Sequence, residues 1–183
     1  MKTTLITKLA TAAAATGIAF AALAGPAGAA PGDSTTTFAI TGGSLSISVP
    51  TPSGPIATVA TGALLASGQL GSVAVGDTRG ALVNAWTTSV SSTSFVTGTG
   101  TPAAAQTVAT TNIAYSSGAS TSTTGLGAFV PGTLATMAAP GTGAAWTGAA
   151  GNSTAAWNPT LNFTLLSSQV AGTYTGTVTH SVA

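Results

Sequence analysis

The chain has no cysteine and no glutamate, a single histidine, and only five formally charged side chains in 183 residues. Without cysteine there can be no disulfide, no thiolate metal site and no lipid attached through sulfur. Lys2 and Lys8 fall in the first eight residues, so from residue 30 onward the charges are Asp33, Asp77 and Arg79 alone. One arginine and no lysine cannot build the cationic surface that a phosphate backbone demands, so nucleic acid is not an expected partner. Binding to anionic lipid through a polybasic patch fails on the same count. What replaces charge is hydroxyl: 31 Thr and 19 Ser from residue 30 onward, set among glycine and alanine. Threonine is β-branched, so it favours strands while still presenting an oxygen to water.

The first 29 residues read as a secretory signal. Lys2 and Lys8 form a positive n-region, residues 9–23 are an apolar run, and Ala27-Gly28-Ala29 offers the small residues that a signal peptidase reads. The run of about 15 residues is short of the roughly 20 that span a bilayer. Cleavage after Ala29 would remove both lysines and turn the formal net charge of +1 into −1 from side chains. The expected product is secreted, with no membrane attachment after cleavage. It has a flexible leader over residues 30–37 and one domain over 38–183. About 150 residues suffice for a single hydrophobic core, which must hold without disulfides.

The domain reads as all-β, a single antiparallel β-sandwich with long Gly/Thr/Ser-rich loops. Phe38 and Ile40 alternate with threonine and alanine, and Leu45, Ile47 and Val49 alternate with serine, giving two strands of period two. Pro50, Pro52 and Pro55 then impose an extended loop. A strand around Leu70, Val73 and Val75 is expected to stop at Gly76-Asp77-Thr78-Arg79-Gly80. Trp86, Thr88 and Val90 share a strand face, Phe95 follows a turn, and residues 106–115 form a strand around Val108, Ile113 and Tyr115. Residues 116–153, rich in glycine, are expected to contain a long exposed loop. Trp157, Leu161, Phe163 and Leu165 return to alternation. The last segment is the cleanest: Tyr174, Gly176, Val178, His180 and Val182 face one way, and Thr173, Thr175, Thr177, Thr179 and Ser181 the other.

The inventory of chemistry is thin. A Ser-His-Asp triad needs a base and an orienting acid, but His180 is the lone base and no G-x-S-x-G elbow occurs. Paired carboxylates for glycoside cleavage would have to be Asp33 and Asp77, and Asp33 lies in the leader. One His and one well-placed Asp do not make a metal shell. The expectation is a non-enzyme without cofactor or metal. The Asn152-Ser153-Thr154 and Asn162-Phe163-Thr164 triplets match a glycosylation acceptor, a pattern that arises readily by chance in so hydroxyl-rich a chain.

The most informative segment runs from Val75 to Val90. It holds Asp77 and Arg79, two of the three charges, and then Trp86 at the head of a Thr/Ser/Val strand. The structural reading is an ion pair across a turn and a tryptophan in the core; the functional one is a ligand site marked by the only guanidinium. This D-x-R-G…W block resembles the first conserved block of the WxL domain, a family of non-covalent cell-wall-binding domains on Gram-positive surface proteins. Ala171-Gly172-Thr173-Tyr174 and the strand to Val182 resemble the family's second block, A-G-x-Y-x-x-x-x-x-W-x-L. Thr88 stands where the first block has leucine, and His180 and Val182 stand where the second has tryptophan and leucine. The resemblance covers residues 70–183 and implies a β-sandwich that binds peptidoglycan or an associated wall glycan. Aromatics stacking on sugar faces and ions bonding polar groups make Trp86, Tyr174, Arg79 and Asp77 the candidate ligand residues. Trp146, in the glycine-rich region, is added because loops often carry function.

A second expectation belongs to another class. Edge strands usually guard themselves from pairing with charge, and this chain has almost none, so a self-assembling subunit of a fibre, sheath or surface layer is physically permitted.

Overall fold

The computed structural model describes residues 34–183; the signal segment 1–29 and the first residues of the leader lie outside the described residues. The backbone divides into a segment ending at Phe38 and a compact unit, Ala39–Ala183. The unit is all-β, with every strand pair antiparallel. In chain order its strands are β1 (Leu45–Ser48), β2 (Leu65–Gln69), β3 (Val73–Ala81), β4 (Trp86–Ser92), β5 (Phe95–Val96), β6 (Thr107–Val108), β7 (Ile113–Ser116), β8 (Ser120–Thr124), β9 (Gly127–Pro131), β10 (Thr133–Leu134), β11 (Gly141–Gly148), β12 (Gly151–Trp157), β13 (Thr160–Thr164) and β14 (Val178–Val182). Two single-turn 3-10 helices, Ala104–Gln106 and Thr110–Asn112, flank β6.

Three four-stranded sheets run in the orders β1-β3-β12-β8, β10-β7-β13-β2 and β14-β4-β11-β9, with β5-β6 as a small fourth. Successive strands link the first two sheets. β2 continues into β3, β7 into β8, and β12 into β13, each through two or three residues, so these sheets are the two arms of one bent layer. The bend is fastened by the Leu70 N–H to the Pro159 carbonyl at 2.9 Å, the Gly71 N–H to Asn158 Oδ1 at 3.0 Å, and Asn158 Nδ2 to Gln69 Oε1 at 2.9 Å. In the facing layer β4 runs on toward β5. The segment that becomes β14 accompanies it, from the Val96–Thr175 bridge to the Val182–Thr88 pair.

Alternation decides which side chains fill the space between layers. Val73 and Val75 of β3, Trp86 and Val90 of β4, and Ala155 and Trp157 of β12 are buried, and the intervening residues of β4 face water. The core falls into two clusters. One holds Val73, Val75, Trp86, Ala144, Trp146, Ala155 and Trp157; the other holds Ala66, Val90, Val108, Ile113, Tyr115, Met137, Leu161 and Phe163.

Three sequence expectations need correction. Residues 37–41 form no strand: they are unpaired among the described residues and exposed. β3 does not stop at Gly76 but passes through Asp77, Thr78 and Arg79 to Ala81; the residues read as a turn signal lie in a strand whose partner β12 is irregular between Gly151 and Ser153. Residues 116–153 contain β8 to β11 and the start of β12 in place of a long loop. The strands there are built of Gly, Ala, Thr and Ser, whose small side chains leave almost no apolar period to read.

Candidate functional site

The tryptophans come first, because two of them were candidates for sugar stacking. Trp86 and Trp146 are opposite each other in the β4–β11 register, and Trp157 comes from the facing layer. Trp86 stacks with both neighbours at centroid distances of 6.3 Å and interplanar angles of 12° and 21°. Phe129 leans on Trp157 at 5.4 Å. All three indoles are buried. Their neighbours on the inner faces include Ala144, Ala155, Thr88 and Ser153, so the rings fill a gap those small residues leave. The structure therefore places Trp86 and Trp146 in the core, with no ring face open to a ligand. Trp146 sits on a strand, where its glycine-rich context suggested a loop.

Asp77 and Arg79 do come together. The carboxylate is fully buried, and the guanidinium side chain is 36% exposed. Asp77 Oδ1 accepts from the Arg79 backbone N–H and from its Nε, both at 3.0 Å, and Oδ2 accepts from Nη2 at 2.8 Å. Nη2 also donates to the Ala85 carbonyl at 3.1 Å. Hydrogen bonds from the Arg79 side chain hold the Asp77 carboxyl below its ordinary range, over the opposing effect of burial. Such a two-toothed fork fixes geometry as well as charge. Here it ties β3 to the far side of the loop before Trp86.

Sequence reasoning missed Asn84, the third member of that arrangement. It is fully buried, its Nδ2 donates to the Gly151 carbonyl at 3.2 Å, and its Oδ1 faces the Trp146 indole nitrogen across Gly148. That acceptor and that donor are the two buried side-chain polar atoms left without a partner among the described residues. One is an acceptor and the other a donor, and both lie beside Gly148. The loop so pinned holds Leu82 and Val83 out in solvent.

Tyr174 lies at the opposite end, half-buried, with its hydroxyl 3.0 Å from the Ala105 carbonyl and 2.9 Å from that of Val170. It belongs to the wall of two clefts that flank the irregular strap of residues 49–63. One, of about 590 Å³, runs between the proline-bearing start of the strap and residues 173–180. The other, of about 400 Å³, has Ala66, Val108, Phe163 and Phe95 in its lining and Tyr174 at its border with the first. The Ala171-Gly172-x-Tyr174 block acquires a physical reason here. A Cβ on Gly176 would run into the Phe95 ring, and one on Gly172 into the Thr97 side chain, so the segment can lie this close to β5 only without them.

His180 lines the larger cleft and ends a buried chain of hydrogen bonds. Trp157 Nε1 donates to Tyr115 Oη at 3.2 Å, and Tyr115 Oη lies 3.3 Å from His180 Nε2. With its oxygen accepting from Trp157, the Tyr115 hydroxyl is free to donate to a neutral imidazole. Burial holds the His180 pKa below its usual value and pushes that of Tyr115 up to about 12. Both groups are thereby kept uncharged. No carboxylate touches His180 in this chain of bonds, and no cluster of three or more metal-ligating residues occurs among the described residues.

The chain matches no protein-family model, no curated protein and no solved structure.

Proposed function

We propose that this is an exported, non-catalytic surface protein that holds an uncharged wall polymer, a peptidoglycan glycan strand or a neutral glycan attached to it. The site is the cleft of about 590 Å³ beneath the strap. The observation that carries this reading is the character of the lining. Pro50, Pro52 and Pro55 line one wall and residues 173–178, three of them threonine, line the other, with Phe95 and Tyr174 as the aromatic members, and no residue in it carries a formal charge except through protonation of His180. Sugars are recognised by that mixture of hydroxyl and aromatic contact, and charged stem peptides or phosphate polymers would find no counter-ion. The resemblance to WxL domains supports the same class of ligand, since its second block supplies this wall. The burial of Trp86 and Trp146 moves the candidate residues from them toward Tyr174. Asp77 and Arg79 serve the reading as a structural clamp.

The test is sedimentation of the purified protein with isolated Gram-positive cell walls. Saturable binding is expected, and a Ser53→Glu/Thr175→Glu variant, altered at two exposed positions of the cleft, should lose at least tenfold in affinity with an unchanged melting temperature. A folded wild-type protein that stays in the supernatant overturns the proposal.

A further inference from the structure

Two further apolar features stand out among the described residues. Residues 37–41 read Thr-Phe-Ala-Ile-Thr, with strand period, no charge, and neither glycine nor proline. Phe38 and Ile40 are 88% and 86% exposed, in a stretch that forms no strand of its own. Short uncharged segments of high β-propensity are the kind that add to another chain's sheet. The second feature is the cleft of about 400 Å³ lined by Ala66, Phe95, Val108, Phe163 and Leu165, again without a formal charge. Its outer wall is the strap. Among the described residues, no backbone N–H from Ile56 to Gly62 donates to another backbone carbonyl, so amides are available to an incoming strand.

Chain geometry decides whether the match is within one molecule or between two. The compact unit begins beside the C-terminal end of β3, where Gly43 N–H bonds the Thr78 carbonyl and Gly42 packs on Arg79. Arg79 in turn bonds the Ala85 carbonyl, next to the start of β4. Phe95 of the cleft lies beyond the other end of β4, about 25–30 Å away at the rise of an extended strand. Four residues separate Phe38 from Gly42, a reach of about 14 Å at most. The segment cannot enter its own molecule's cleft.

We propose that residues 37–41 of one copy dock in extended form in this cleft of a second copy, with Phe38 and Ile40 entering it. Donor and acceptor lie at opposite ends, so the contact is heterologous and copies join head to tail into an open chain, not a closed dimer. Absence of charge on both sides means that nothing ionic is desolvated. This contact is separate from the glycan cleft and does not depend on it.

Sedimentation velocity across a concentration series tests it. Wild-type protein is expected to grow in mass with concentration. Phe38→Glu/Ile40→Glu, which spoils the donor, and Val59→Glu, which places a charge at an exposed position of the cleft, should each stay monomeric. Mixed together, the two variants should form a dimer and nothing larger, because the intact cleft of the first accepts the intact segment of the second. Wild-type protein that stays monomeric up to its solubility limit overturns the proposal, and so does undiminished association of Phe38→Glu/Ile40→Glu, which would point to another surface such as Leu82 and Val83.

Discussion

At the scale of residues, the molecule depends on a few polar atoms buried among apolar ones. Tyr115 is the clearest. Its oxygen satisfies the fully buried Trp157 indole, and the same hydroxyl lies 3.3 Å from His180 Nε2. Tyr115→Phe keeps the ring and strands the indole N–H, which should cost about 1–3 kcal/mol, the range for a buried donor left unmade. Chemical denaturation of the folded variant measures it. Tyr174 stood out in the sequence for its place in an alternating segment next to Ala171-Gly172, and it borders both clefts. Phe95 and Phe163 were legible only as core residues. That they pack edge to face at 5.0 Å and line a cleft with a strap far from both in sequence is a fact of tertiary assembly, which period cannot carry.

At the scale of elements, the segment from Asp77 to Trp86 shows how a motif can be structural. The fork from Arg79 to Asp77 and Ala85, with Asn84 reaching Gly151, fastens the β3–β4 loop at both sides. Asp77→Asn should lower the melting temperature at neutral pH and speed amide exchange in residues 80–85. The sign of its pH dependence follows from the lowered carboxyl pKa: the stabilisation is complete above the unfolded value of 3.8 and is lost as pH falls through the lower folded value. Melting temperatures of wild type and variant should therefore converge as pH falls below the folded value of the carboxyl. Strands β4, β13 and β14 were legible because large apolar side chains alternate there with hydroxyls, as in Trp86-Thr87-Thr88-Ser89-Val90. Strands β8 to β11 were not. In Gly141-Thr142-Gly143-Ala144-Ala145-Trp146 the inward positions include glycine and alanine, and only the ladder to β4 reveals which way they face. Residues 37–41 fail in the opposite sense, having the pattern of a strand and no partner among the described residues.

At the scale of the whole molecule, the scarcity of ionisable groups simplifies its response to pH. His180 has a folded pKa below 6.5, so the unfolded chain takes up a proton first and stability declines as pH falls below 6.5. Tyr115 titrates near 12 when folded against 10.0 as the ordinary value, so the unfolded chain loses its proton first and stability declines as pH rises through that interval. Between the two limbs, the melting temperature should trace a plateau in a scan of thermal melts, and Tyr115→Phe should remove the alkaline decline. A steep slope inside the plateau would contradict it. The all-β sandwich was legible at this scale from threonine content and alternation. The bent double layer was not, because it rests on the joins at residues 70–72, 117–119 and 158–159, where the sequence offers only ordinary turn residues.

The pairing of the two outermost strands near Thr78 and Thr87 also has a mechanical consequence. Gly43 is bonded to Thr78, and Ala183 exchanges both backbone bonds with Thr87, so the unit's first and last ladder contacts lie at the same pole. A pull applied between them meets these ladders end-on and opens them one bond after another, as a zipper opens. A load running lengthwise from that pole to the strap instead draws on whole ladders in shear. The same molecule is thus soft when tugged by its two ends and stiff as a link in a line.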